Sequence, residues 1–218
     1  MGVVQAVNVA VVRTGDWTGR VGRTGIDKRP VEHAVRFEPT GVRGDVVCDT
    51  KHHGAWYQAA YAFDVEELRY WSAVLRKELV PGNAGENLTL AGCDSTSAVI
   101  GERWRVGGAV LRVTGPRLPC RVFAGFWGVK GLVKRFTEHG RTGVYLAVEE
   151  PGEVAAGDTV EVLSRPSHGV RVDELFAFQM RGRQELAEHV ARGVADLPEP
   201  WREDVARKVR ATVAVGTR

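Results

Sequence analysis

One pattern recurs along the chain and limits its fold more than any other feature: a glycine, an acidic residue, then an alternating run. Ile100-Gly101-Glu102-Arg103-Trp104-Arg105-Val106 follows it, and so does Ala156-Gly157-Asp158-Thr159-Val160-Glu161-Val162. Alternation with a period of two puts every second side chain on one face of a strand. The glycines allow the tight turns between strands. Residues 3–10, 31–37, 57–63, 109–113 and 144–148 are further short strand-like runs, and Val46-Val47-Cys48 begins another. Many short strands separated by glycine turns favour a sandwich or a closed barrel. The expected fold class is therefore mainly β.

Helical spacing is confined to a few segments. Val65, Leu68, Trp71, Leu75 and Leu79 make one apolar face. Asp64 reads as the N-cap of that helix, with Glu67 in a box-like position, and Pro81-Gly82 as its end. Residues 123–139 are helical in pattern, with Gly140 as a C-cap. Composition changes at Arg165-Pro166-Ser167-His168-Gly169. Beyond it, residues 173–180, 184–194 and 198–213 read as three helices, with Pro198 in a first-turn position. About fifty residues in three short helices are marginal alone, so they are expected to pack on the barrel or on a partner chain, which makes them a candidate docking or dimerisation element. The expected division is a barrel domain over 1–166 and a three-helix extension over 167–218.

The formal charge of +3 over 218 residues is not concentrated in any Lys/Arg block, so a nucleic acid polymer is not the expected partner. The three cysteines, Cys48, Cys93 and Cys120, are far apart and form no Cys-x-x-Cys pair, which argues against a thiolate zinc site. No apolar run approaches the roughly 18 residues that span a bilayer. The N-terminal residues lack a basic n-region and a cleavage pattern. A cytoplasmic location, away from membranes, is the expectation.

The chemistry is expected at Thr114-Gly115-Pro116-Arg117-Leu118-Pro119-Cys120-Arg121. Two prolines fix φ and remove two backbone donors, and Leu118 before a proline is biased to be extended. A stiff arm thus presents one thiol with an arginine three residues before it and another directly after it, and nearby cations favour the thiolate. The alternative is an inert cysteine at a strand end. Residues 13–30 carry four glycines with Arg20, Arg23, Lys28 and Arg29. This stretch is either a loop that orders cations around an anion or a solvated one. In Lys51-His52-His53-Gly54, adjacent side chains on extended backbone diverge, so at most one histidine should enter a given pocket. Glu86 and Asn87 sit on a glycine turn, where such groups commonly satisfy the loop's own backbone.

Gly85-Glu86-Asn87-Leu88-Thr89, Ile100-Gly101-Glu102 and Pro116-Arg117-Leu118-Pro119-Cys120, in that order and spacing, resemble the MOSC family, named for the C-terminal part of molybdenum cofactor sulfurase. Asp49-Thr50-Lys51-His52-His53-Gly54 followed by Ala60-Tyr61-Ala62 resembles its His-Gly-Gly stretch, with Ala55 where a second glycine is usual and Gln58 where lysine is commoner. The helical tail resembles the YiiM-like subgroup.

The resemblance implies a closed β-barrel with peripheral helices that binds the molybdenum–pterin cofactor, with Cys120 as metal ligand or sulfur carrier. It implies reduction of small N-hydroxylated compounds such as hydroxylaminopurines, with electrons from a separate reductase. No flavin or nicotinamide fingerprint and no cysteine cluster for an iron–sulfur centre occurs in the sequence. On that reading His53 delivers a proton, Arg117, Arg23 and Arg29 hold the cofactor's phosphate, and Glu86 and Asn87 belong to the cofactor loop. Asn87 either bonds the pterin or fixes that loop. The alternatives are sulfur transfer through a Cys120 persulfide and a non-catalytic cofactor carrier.

Overall fold

The valine-rich N-terminus forms β1 (Gly2–Ala10), whose Val4, Ala6 and Val7 are buried. The computed structural model describes residues 2–216, with side chains through 214. After β1 come two small pairings. β2 (Arg13–Thr14) joins β3 (Arg23–Thr24), and β4 (Lys28–Val31) runs antiparallel along the far half of β1. β5 (Val35–Glu38) and β6 (Gly41–Val42) form a hairpin that later pairs with β12 (Gly152–Val154).

The barrel itself is built from β1, β7 (Ala60–Asp64), β8 (Leu88–Ala91), β9 (Arg103–Val106), β10 (Ala109–Pro116), β11 (Val144–Glu150) and β13 (Thr159–Ser164). Their order is β13-β9-β10-β11-β7-β8-β1, and β13 returns to pair with β1 at Gly2↔Val160. Closure to seven strands removes the edges that an open sheet would expose. All neighbours are antiparallel except β7 and β8. A parallel pair needs a crossover, and α1 (Val65–Leu75) lies on it. The barrel interior packs Val4, Val7, Leu88, Leu90, Ile100, Leu111, Val113, Leu146 and Val160. A second cluster joins α1 to α2 (Arg121–Trp127) and α3 (Leu132–His139) through Trp71, Phe123, Trp127 and Phe136.

The tail folds as α4 (Val172–Met180), α5 (Ala187–Gly193) and α6 (Glu199–Gly216). Its Val172, Leu175, Phe178, Val190, Val205 and Val209 are continuous with the barrel core. Arg112 of β10 donates to the Asp196 carbonyl at 2.8 Å, a polar tie between barrel and tail.

Several local expectations differ from the structure. Val46-Val47-Cys48 is not a strand, because Asp45 is held by three other segments, as described below. Residues 123–139 form two helices. Gly128 and Gly131, both with positive φ, break them. The first helix ends at Leu75, where Arg76 takes a left-handed conformation, and not at Pro81. Asp64 stands at the N-cap position but its Oδ2 accepts from the Ser95 N–H, and Glu67 pairs with His139 and Arg141.

Candidate functional site

The site is assembled where β10 leaves the barrel. The β10–β11 register shifts between Val113 and Gly115, a bulge that leaves Thr114 without a strand partner. Its hydroxyl lies 2.6 Å from the Tyr57 carbonyl and 2.9 Å from that of Tyr145. The arm Pro116-Arg117-Leu118-Pro119 then runs to Cys120, which has extended backbone at the N-cap position of α2.

Cys120 lines a cavity of about 620 Å³ together with Arg117, Asn87, Tyr61, Tyr145, Gln58 and the 40–54 segment. That volume suits a cofactor or small ligand. The two arginines beside the thiol diverge. Arg121 is exposed, whereas Arg117 is only 5% exposed. The Arg117 guanidinium sits 3.8 Å from the centre of the Phe123 ring, and its Nη1 is buried with no hydrogen-bond partner. Arg117 has no carboxylate partner among the described residues. A buried donor in that state is a specific invitation to an acceptor from outside the chain.

The cavity wall depends on Asp45. Its carboxylate receives Lys28 Nζ at 2.5 Å, Asn87 Nδ2 at 2.9 Å and the Ala10 N–H at 2.8 Å. Both charged side chains of the Lys28–Asp45 pair are about nine-tenths buried. This contact fixes the 40–54 segment against β1, β4 and the loop before β8. Gly82 in that loop must be glycine, since it has φ +89 and a Cβ there would lie 2.2 Å from the Lys28 carbonyl oxygen.

Residues 49–53 form a turn in which the backbone N–H groups of His52 and His53 both donate to the Asp49 carbonyl. The strand alternation expected for the two histidines therefore does not apply, and both line the cavity. His52 pairs with Asp49 at 3.0 Å. His53 lies at the mouth. Desolvation by the surrounding protein, and secondly the Arg117 charge, hold its pKa below the usual imidazole range. That shift favours the neutral ring. Deep burial pushes the Tyr61 and Tyr145 phenols up, so both stay protonated.

Among the residues singled out from sequence, Cys120, His53, Arg117, Asn87 and Arg23 line one cavity. Glu86 and Arg29 do not. The Glu86 carboxylate accepts from the Gly82 and Ala84 N–H groups and from the Thr89 hydroxyl, so it builds the loop. Arg29 is paired with Asp27 at 2.8 Å. The Asn87 amide is likewise fully engaged. Its Oδ1 accepts from the Tyr61 N–H, and its Nδ2 serves the Asn8 carbonyl and Asp45. Of its two readings, fixing the loop is the one this geometry favours. Sequence reasoning missed Asp45, Tyr145 and Cys48, and Lys28, named among the cations of the 13–30 stretch, is paired with Asp45. Tyr145 faces Tyr61 directly across the β11–β7 ladder, a register that only the fold reveals. Asp45 carried no signal.

The same arrangement of chain occurs in known proteins. The MOSC domain profile matches residues 49–161. The uncharacterized protein YflK of Bacillus subtilis (strain 168) is 32% identical over 207 residues, covering 94% of this chain and 93% of that one. A protein named Reductase from Gibberella moniliformis is 28% identical over 169 residues, 76% of this chain but 30% of its own length. The crystal structure of YiiM from Geobacillus stearothermophilus superposes with a TM-score of 0.78 at 23% identity, covering 96% of this chain and 100% of that one. Because the MOSC domain profile matches more than half of its residues, the chain belongs to the MOSC domain family.

Proposed function

We propose that the cavity binds the molybdenum–pterin cofactor and that the protein is an oxidoreductase acting on small N-hydroxylated compounds. The observation that carries this reading is the buried Arg117 guanidinium, which lines the cavity with an unpartnered Nη1 and, among the described residues, no carboxylate to neutralise it. A phosphate-bearing cofactor supplies that missing acceptor through a charge-assisted hydrogen bond. The Cys120 thiol fits a soft metal centre. No group of three or more His, Cys, Asp or Glu side chains among the described residues is placed to hold a metal ion, so a metal bound through Cys120 brings its other ligands with it, as a pterin dithiolate does.

When bound, the cofactor supplies the two-electron redox chemistry. The protein's own residues do the rest. Arg117 anchors the anion, and the stiff arm sets the direction of Cys120. The neutral His53 at the mouth offers its ring N–H to a substrate N–OH oxygen as a hydrogen-bond donor. Tyr61 and Tyr145 wall the site as neutral phenols.

Electrons come from a separate reductase. This chain has no nicotinamide or flavin fingerprint and only three scattered cysteines. The fungal Reductase carries most of its length outside the matched region. The test is turnover of a hydroxylaminopurine with an added flavin reductase, comparing wild type with Cys120→Ala. Activity confined to the wild type supports the reading, and full activity in the variant refutes it.

A further inference from the structure

Trp201, near the start of α6, stands directly behind the arm that carries the thiol. A Cβ at Gly115 would lie 2.1 Å from Trp201 Cζ3, so the indole occupies the space that any side chain there would need. The same ring meets Tyr57 edge-on with centroids 5.6 Å apart, and Tyr145 with centroids 6.5 Å apart. These are the two residues whose carbonyls hold the Thr114 hydroxyl. One indole therefore touches the end of β10, the turn next to Gln58, and β11 at a cavity-lining tyrosine. Its own place is set by α6, whose Val205 and Val209 are buried in the barrel core.

We infer that Trp201 is a positioning residue: the C-terminal helix completes the functional site by bracing the Thr114–Cys120 arm through Gly115. The physical route is short. Gly115 lies five residues before Cys120, and Pro116 and Pro119 lie between them. Prolines fix φ, so a shift at Gly115 is transmitted along the arm instead of being absorbed by it. Removing the indole leaves a void behind the bulge, and packed surroundings relax into such voids only partly. The inference rests on the proposed role of Cys120 for its functional meaning, but not for its test.

The test reads thiol reactivity in full-length, metal-free protein. Wild type, W201A, W201L and W201F are alkylated with iodoacetamide, and each cysteine is followed by peptide mass spectrometry. The rate at Cys120 should change by about three-fold or more in W201A and W201L. W201F, which keeps a ring between Tyr57 and Tyr145, should return it toward the wild-type rate. Cys48 lines the same cavity and Cys93 packs against the barrel core, so their rates report general opening and should stay within about two-fold. A Cys120 rate that tracks Cys48 in folded W201A and W201L overturns the inference.

A measurement on wild type decides the matter if those variants do not fold. In protein labelled with 5-fluorotryptophan, alkylating Cys120 should shift the Trp201 resonance, and a resonance that does not move overturns the inference. Because no cofactor enters either readout, failure here leaves the cofactor reading standing, and failure of the cofactor reading leaves the coupling measurable.

Discussion

Replacing Arg117 with methionine should make the free protein more stable while removing its affinity for anions. Arg117 is buried, its Nη1 has no partner, and its guanidinium lies over Phe123. An unsatisfied buried donor costs about 1–3 kcal/mol. The stacking over the ring offsets about 1–2 kcal/mol of that. Methionine keeps the packing of the aliphatic stem and removes both terms. The expected net gain is about 1 kcal/mol, or roughly 2–4 °C in melting temperature for a chain of this size. Thermal melts in phosphate-free buffer read this directly. Inorganic pyrophosphate at about 100 times its Kd should then stabilise the wild type by about 2.7 kcal/mol and leave R117M unmoved. An R117M protein that melts several degrees lower, or that responds to pyrophosphate like the wild type, would show that this cation is structural and not reserved for a ligand.

Further outcomes follow from the same geometry. Asp45→Asn leaves the Lys28 ammonium buried without its counter-charge, which should cost about 3–5 kcal/mol in urea denaturation; a loss below about 1 kcal/mol would mean the pair does not hold the cavity wall. Burial pushes the Asp64 and Glu86 carboxyls up to about 7. Their unfolded counterparts ionise near 4, so the folded state binds more protons between about pH 4 and 7. Stability should therefore fall as pH rises through that window, by up to about 1.4 kcal/mol per pH unit for each group, and level off above it. Glu86→Gln should flatten part of that slope in melts from pH 5 to 8, and an unchanged slope would assign the effect elsewhere.

What could be read from the sequence was what depends on local pattern. Alternation located β9 and β13, apolar runs located β10 and β11, and helical spacing located α1, while the three tail helices were read beyond the change in composition. The arm was legible because its stiffness comes from its own prolines. In two places where the reading missed, a distant partner had overridden a local preference. Val46-Val47-Cys48 has strand-forming residues, yet Asp45 is held by Lys28, Asn87 and Ala10 from three other segments. Asp64 is a good cap by type, but the Ser95 N–H takes its carboxylate.

The arginines show the same division. Arg117 and Arg121 both flank Cys120 in sequence, three residues before it and directly after it. Only the bulge at Thr114, the turn into α2 and the ring of Phe123 decide that the first is buried and the second exposed. Lys28 and Arg29 are adjacent, and the fold gives one to the cavity wall and the other to Asp27.

The most direct test of the proposed chemistry is the metal content of protein purified anaerobically from cells that make the molybdenum cofactor. Wild type should carry about one molybdenum per chain through its soft thiolate ligand, and Cys120→Ser should lose most of it while keeping the wild-type melting profile. Wild-type protein from such cells with no molybdenum, or a serine variant that retains the full amount, would contradict a Cys120-ligated molybdenum site.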